Sequence, residues 1–90
     1  MHPRIYADFN KQDSDGRLVL TCAGTYRDLR HAGLVLKDGL ELVFYADDAD
    51  EQGKPDDLEV EGVVQFDDKT KRWVGVFDPR NLRHASDRRE

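Results

Sequence analysis

The segment Asp48–Glu59, DADEQGKPDDLE, concentrates the groups in this chain that are best suited to chemistry. Calcium takes six to eight hard oxygen ligands, and a twelve-residue calcium loop supplies them at set positions, with glycine at the sixth so that the chain can turn sharply. Aligned to such a loop, Asp48 stands at position 1, Asp50 at 3, Gln52 at 5, Gly53 at 6, Asp56 at 9 and Glu59 at 12. Gln52 departs from the usual Asp or Asn, and Pro55 stands where an apolar residue normally pairs two loops. The flanking residues also read as strands rather than helices. Without a helical scaffold, Glu59 need not turn back to close the site. A solvated acidic hairpin loop, with no cofactor, is the primary expectation. Calcium held by Asp48, Asp50, Gln52, Asp56 and Glu59 is the alternative.

Other chemistry is sparse. His2, His31 and His84 lack metal-ligand spacing, and zinc needs more nitrogen or sulfur donors than any local stretch provides. Cys22, the only cysteine, alternates with Leu18 and Leu20 and is expected to be buried and inert. With one cysteine no internal disulfide can form, which favours a reducing compartment. The N-terminus has no apolar signal core and no run reaches membrane-spanning length, so a cytoplasmic, soluble chain is expected. The adjacent pairs Asp47/Asp48, Asp56/Asp57 and Asp67/Asp68 sit in turns, where carboxylates are ionised and hydrated. Acid–base catalysis needs environments that separate two pKa values, and no nucleophile or phosphate-loop motif is present. No enzymatic activity is expected.

Charge is uneven. Residues 38–68 hold twelve acids and one base, a net of −11, while the remainder nets +6. Such asymmetry can orient a partner, and it also keeps a small chain soluble. Lys69, Lys71, Arg72 and Trp73 form a small basic and aromatic group, with Arg80, Arg83, Arg88 and Arg89 further along. Glu41, Glu59 and Glu61 on the strands, and the overall charge of −5, argue against nucleic acid as the main partner.

The elements that position these residues follow from periodicity and turn chemistry. Arg4–Phe9 alternates Ile5, Ala7 and Phe9, and Arg17–Gly24 alternates Leu18, Leu20 and Cys22. The turn-rich Asn10–Gly16 between them predicts a hairpin. Thr25 reads as the N-cap of a short helix over Tyr26–Ala32 that Gly33 ends, with Leu29 inward. Leu34–Leu36 reads as a short apolar link. Leu40–Ala46, Leu58–Phe66 and Arg72–Phe77 read as a meander of three strands. Gly62 in mid-strand marks a bulge, a bend or a close backbone approach. Asp78-Pro79 opens one helical turn. Residues 1–82 read as one small β domain, and residues 83–90 as a flexible tail.

The order β-β-α-β-β-β with five short strands and a terminal helical turn predicts a mainly β fold, a small antiparallel barrel or curved sheet. The run of strand, tight hairpin, strand and helical turn over the last half of the chain resembles a Src-homology-type small barrel. That resemblance is topological and implies no function. Val19, Val43, Tyr45 and Val63 lie opposite the main core set. Either the helix covers them through Tyr26 and Leu29, or they form a partner surface. Val43, Tyr45 and Val63 are therefore candidate partner-binding residues, with self-association as a homodimer one form of the contact. The sequence points to a small interaction or structural module.

Overall fold

The computed structural model describes residues 2–87. The chain runs β1 (Arg4–Tyr6), β2 (Leu18–Val19), α1 (Ala23–Ala32), β3 (Glu41–Ala46), β4 (Leu58–Asp67), β5 (Arg72–Phe77) and β6 (Arg83–His84), with 3-10 turns at Pro79–Asn81 and Ala85–Asp87. As the alternation predicts, β3, β4 and β5 form an antiparallel meander, with Phe44 opposite Val60 and Val64 opposite Gly75. The turn between β4 and β5 is closed by the Lys71 amide donating to the Asp67 carbonyl at 2.7 Å. Lys71 itself takes a left-handed backbone, φ 58°.

The fold is mainly β, as expected, but of the expected five-stranded antiparallel barrel or curved sheet the closed barrel, the strand count and the all-antiparallel pairing are corrected. The sheet has six strands, is mixed and is not closed. Its order is β1-β3-β4-β5-β2, with β6 beside β4. β1 pairs in parallel with β3, placing Ile5 opposite Phe44, and β2 pairs with β5 at the far edge. The expected hairpin is made by the chain after β1 instead of by β1 itself. There the Asp13 amide donates to the Arg17 carbonyl at 2.9 Å, and the Val19 amide to the Lys11 carbonyl at 2.8 Å. Parallel neighbours need a long crossover, and the connection from β1 to β3 carries α1 within it.

The helix starts earlier than expected, with Cys22 rather than Thr25 at its N-cap. Thr25 is fully buried, and its hydroxyl donates to the Tyr6 carbonyl at 2.6 Å. The Tyr6 amide donates to the Asp28 carboxylate at 3.0 Å. Two helix side chains thus satisfy the outward-facing backbone groups of Tyr6. A bare edge strand invites pairing with other chains, and this contact blunts it. Gly33 ends the helix in the left-handed region at φ 69°, as predicted.

Ile5, Leu18, Leu20, Leu29, Phe44 and Val64 belong to the main core. Phe44 is wholly buried, and its ring lies against the backbone at Gly62 and Gly75. The mid-strand Gly62 therefore marks a close approach. Val19, Val43 and Val74 are also buried, outside this main cluster.

The C-terminal expectation changes in part. Leu58 pairs with His84 and Glu59 with Arg83, and the Ala85 amide donates to the Asp57 carbonyl at 2.7 Å. Arg83–Asp87 is thus hydrogen-bonded to the sheet, because β5 leaves the lower part of one edge of β4 vacant for it. Residues 88–90, with Arg88 and Arg89 of the basic group, lie outside the described residues. No helix among the described residues is long and apolar enough to cross a membrane.

Candidate partner-binding surface

The acidic loop spends its carboxylates on local structure. Asp50 accepts from the Gln52 and Lys54 amides, both at 2.9 Å, closing a turn in which Gly53 takes φ 82°. The Gln52 side chain is left in solvent. Asp48 meets His84 Nε2 at 2.8 Å. Asp56 accepts from the Ser86 amide at 3.0 Å and the Ser86 hydroxyl at 2.7 Å. Glu59 is 1% exposed and faces Arg4 at 3.4 Å and Arg83 at 3.2 Å. The five residues of the calcium pattern therefore diverge. Among the described residues, no group of three or more His, Cys, Asp or Glu side chains is arranged to hold a metal ion. In an EF-hand the flanking helices bring the twelfth position back to the ion. Here the loop joins two strands, and the strand register puts Glu59 opposite Tyr45 in the sheet.

Around Glu59 the outer face of the sheet carries an ionic ladder. Arg4 also reaches Asp57 at 3.2 Å, and Arg83 reaches Glu61 at 2.9 Å. The Arg4 guanidinium lies 4.4 Å from the Tyr45 ring centroid, a cation–π contact.

His84 carries a pH dependence into this region. Its hydrogen bond to Asp48, with the charges of Asp56, Asp48 and Asp87, raises its pKa above the ordinary histidine value. A raised histidine stabilises the folded arrangement fully below its unfolded pKa, and that contribution is lost as pH rises through the folded value. Docking of Arg83–Asp87 should therefore loosen as pH rises from the ordinary histidine value through the raised folded one. Amide exchange at Ala85 and Ser86, corrected for intrinsic rates, should show falling protection over that range in the wild type. The same curve in His84→Ala should be flat. Equal pH dependence in both would remove His84 as the cause.

The three candidate partner residues are not one open surface. Val43 is buried at 9% exposure, and Tyr45 is half-buried. The Tyr45 hydroxyl donates to Asp28 at 2.7 Å, and its ring meets Tyr6 edge-on at 5.8 Å. Helix α1 does reach this face, but through Asp28. Leu29 enters the main core, and the Tyr26 hydroxyl donates to the Leu20 carbonyl at 2.9 Å. Only Val63, 37% exposed, stands in the open.

Burial opposes ionisation of Asp28, but hydrogen bonds from the Tyr45 hydroxyl and the Tyr6 amide, aided by Arg27, outweigh it and hold the carboxyl below its usual range. A lowered carboxylate stabilises the fold above its unfolded pKa, and the contribution disappears as pH falls through the folded value. Asp28→Ala should cost about 1–3 kcal/mol, because it leaves a part-buried amide and hydroxyl without this acceptor. Asp28→Asn should also flatten the acid limb of stability against pH. Urea melts in acid and at neutral pH check both. An unshifted midpoint for Asp28→Ala would mean that water replaces the carboxylate freely.

Another exposed apolar surface lies elsewhere. Tyr26, Leu29, Arg30, Leu34, Val35, Leu36 and Trp73 line a groove of about 370 Å³ between α1 and β5. Val35 is 80% exposed and Tyr26 is 38% exposed. Trp73 is half-buried, with its ring edge-on to Phe66 at 5.0 Å. Among the described residues, no protein hydrogen bond engages the backbone of Val35 or Leu36. The sequence held a signal for this surface in Leu34-Val35-Leu36. Three consecutive apolar residues in a link cannot all be turned to one core, and an exposed apolar run is a fault unless it is used.

No protein-family model matches the chain, and comparison with curated proteins and with solved structures found no match.

Proposed function

We propose that this chain is a small non-catalytic interaction module and that the groove between α1 and β5 receives its partner. The observation that carries the reading is Val35, the most exposed large apolar residue among those described, at the rim of an apolar groove. Isolated exposed apolar residues are ordinary, but contiguous patches with a polar border mark binding sites. The groove combines aromatic anchors, Tyr26 and Trp73, with an unpaired stretch of backbone, and aromatic residues dominate binding energy at interface centres. Among the acidic side chains, Asp50 closes a turn, Glu59 and Glu61 face Arg83, and Asp48 and Asp56 meet the C-terminal segment.

Trp73 is the only tryptophan in the chain, so its emission reports on the groove directly. Peptides selected from a random library on the immobilised protein should shift Trp73 emission and compete with one another. Val35→Glu, a change at an exposed site, should leave the melting curve in place and abolish the shift. Selected peptides that bind Val35→Glu as well as wild type would overturn the reading. A second copy of the chain is a partner this surface admits. In that case light scattering would show a dimer that Val35→Glu converts to monomer.

A further inference from the structure

We infer that the groove takes a short acidic peptide segment carrying one bulky apolar side chain. This deepens the reading of the groove as the partner surface and rests on it. The argument is charge complementarity. The chain has a formal charge of −5, yet the one charged side chain lining the groove is Arg30. Arg30 is exposed and makes no ion pair among the described residues. The last turn of α1 presents Arg30 and His31 together. Lys37 follows the Leu34–Leu36 link and is exposed. Neither nearby acid pairs with Arg30. Asp28 is held by Tyr6 and Tyr45, and Asp38 accepts from the Phe66 amide at 2.7 Å.

The size and backbone of the site fit the same occupant. A volume of about 370 Å³ is at the small end of ligand clefts and suits a bulky side chain rather than a whole helix. Val35 is exposed and its backbone makes no hydrogen bond among the described residues, so it can pair with an incoming chain, the mode in which main-chain hydrogen bonds supply affinity and pockets supply specificity. A carboxylate beside the anchor can then accept two parallel N–H bonds from the Arg30 guanidinium. The chain's own acidic loop fails as this occupant, because residues 47–57 carry no large apolar side chain.

Three synthetic peptides test the inference: a central Phe flanked by Asp and Glu, the same Phe flanked by Lys, and the acidic peptide with Ala in place of Phe. In wild type, the acidic Phe peptide should shift Trp73 emission at the lowest concentration, and added salt should weaken it. Arg30→Glu should weaken that peptide about tenfold, the effect of turning an attraction into a repulsion, and should strengthen the Lys peptide. Thermal melts confirm that Arg30→Glu and Val35→Glu remain folded. Equal binding of the acidic and basic Phe peptides, lost in Val35→Glu but unchanged in Arg30→Glu, would overturn the acidic preference and leave the groove reading standing. A dimer that Val35→Glu dissociates, with no response to any peptide, would assign the groove to a second copy and overturn the inference. No Trp73 response to any peptide in a monomeric protein would overturn the inference and the groove reading together.

Discussion

Phe44→Ala should lower stability by about 3–5 kcal/mol, the largest loss expected from any single truncation in this chain. Phe44 is wholly buried on the central part of β3, with Ile5 opposite it on one side and Val60 on the other. Its ring fills the space above two glycines, so alanine would leave a cavity that no neighbouring side chain can fill. Net stabilities of domains this size are about 5–15 kcal/mol, and each lost kcal/mol lowers the melting temperature by about 4–8 °C. A substantial part of the Phe44→Ala population should therefore be unfolded at physiological temperature. Circular dichroism melts measure this directly. An unchanged melting curve would mean that β3 presents its other face to the core.

The second large effect runs in the opposite direction, through overpacking. A Cβ at Gly75 would stand 2.6 Å from Phe44 Cζ and 2.8 Å from Phe44 Cε2. A Cβ at Gly62 would stand 2.6 Å from Phe44 Cε2 and 2.7 Å from the Val76 carbonyl oxygen. Gly75→Ala and Gly62→Ala should each cost about 1–3 kcal/mol or more. The two differ in how they can be relieved. At Gly75 every near atom belongs to the Phe44 ring, so a smaller residue at position 44 makes room. At Gly62 one near atom is backbone, which cannot be trimmed. Phe44→Leu combined with Gly75→Ala should therefore be more stable than the sum of the single losses by about 0.5–3 kcal/mol. Phe44→Leu with Gly62→Ala should recover less. Equal recovery at both glycines would refute the assignment of the Gly62 clash to the Val76 carbonyl.

These two effects trace back to features legible in the chain. Leu42, Phe44, Val60 and Val64 recur at every second position within their strands, and a period of two places alternate residues on one face of a strand. The three-strand meander, its tight turn, the helix stop at Gly33 and the cap at Asp78 could all be read without coordinates. Each depends on local geometry: the pleat, the left-handed region open to glycine, and the oxygen of a short side chain.

The tertiary structure alone decided where the first strand pairs and what the polar groups do. Ile5 and Ala7 identify β1 as a strand with a buried face, but alternation is blind to which neighbour a strand takes and in which direction. Tyr6, Thr25 and Asp28 come from separate elements, and only packing makes them one hydrogen-bonded edge. The acidic loop shows the same limit. Oxygen donors at calcium spacing bind an ion only if a scaffold converges them, and the β3–β4 hairpin instead sends Asp48 to His84, Asp56 to Ser86 and Glu59 to Arg4 and Arg83. Alternation likewise put Val43, Tyr45 and Val63 on one face, whereas coverage of that face depends on Asp28 and Arg4, which are remote in sequence. The exposed Val35 groove required the reverse information: that a link with three apolar residues would bury Leu36 and leave Val35 in water. Sequence period specifies which side chains share a face; contacts between distant segments specify which face is covered.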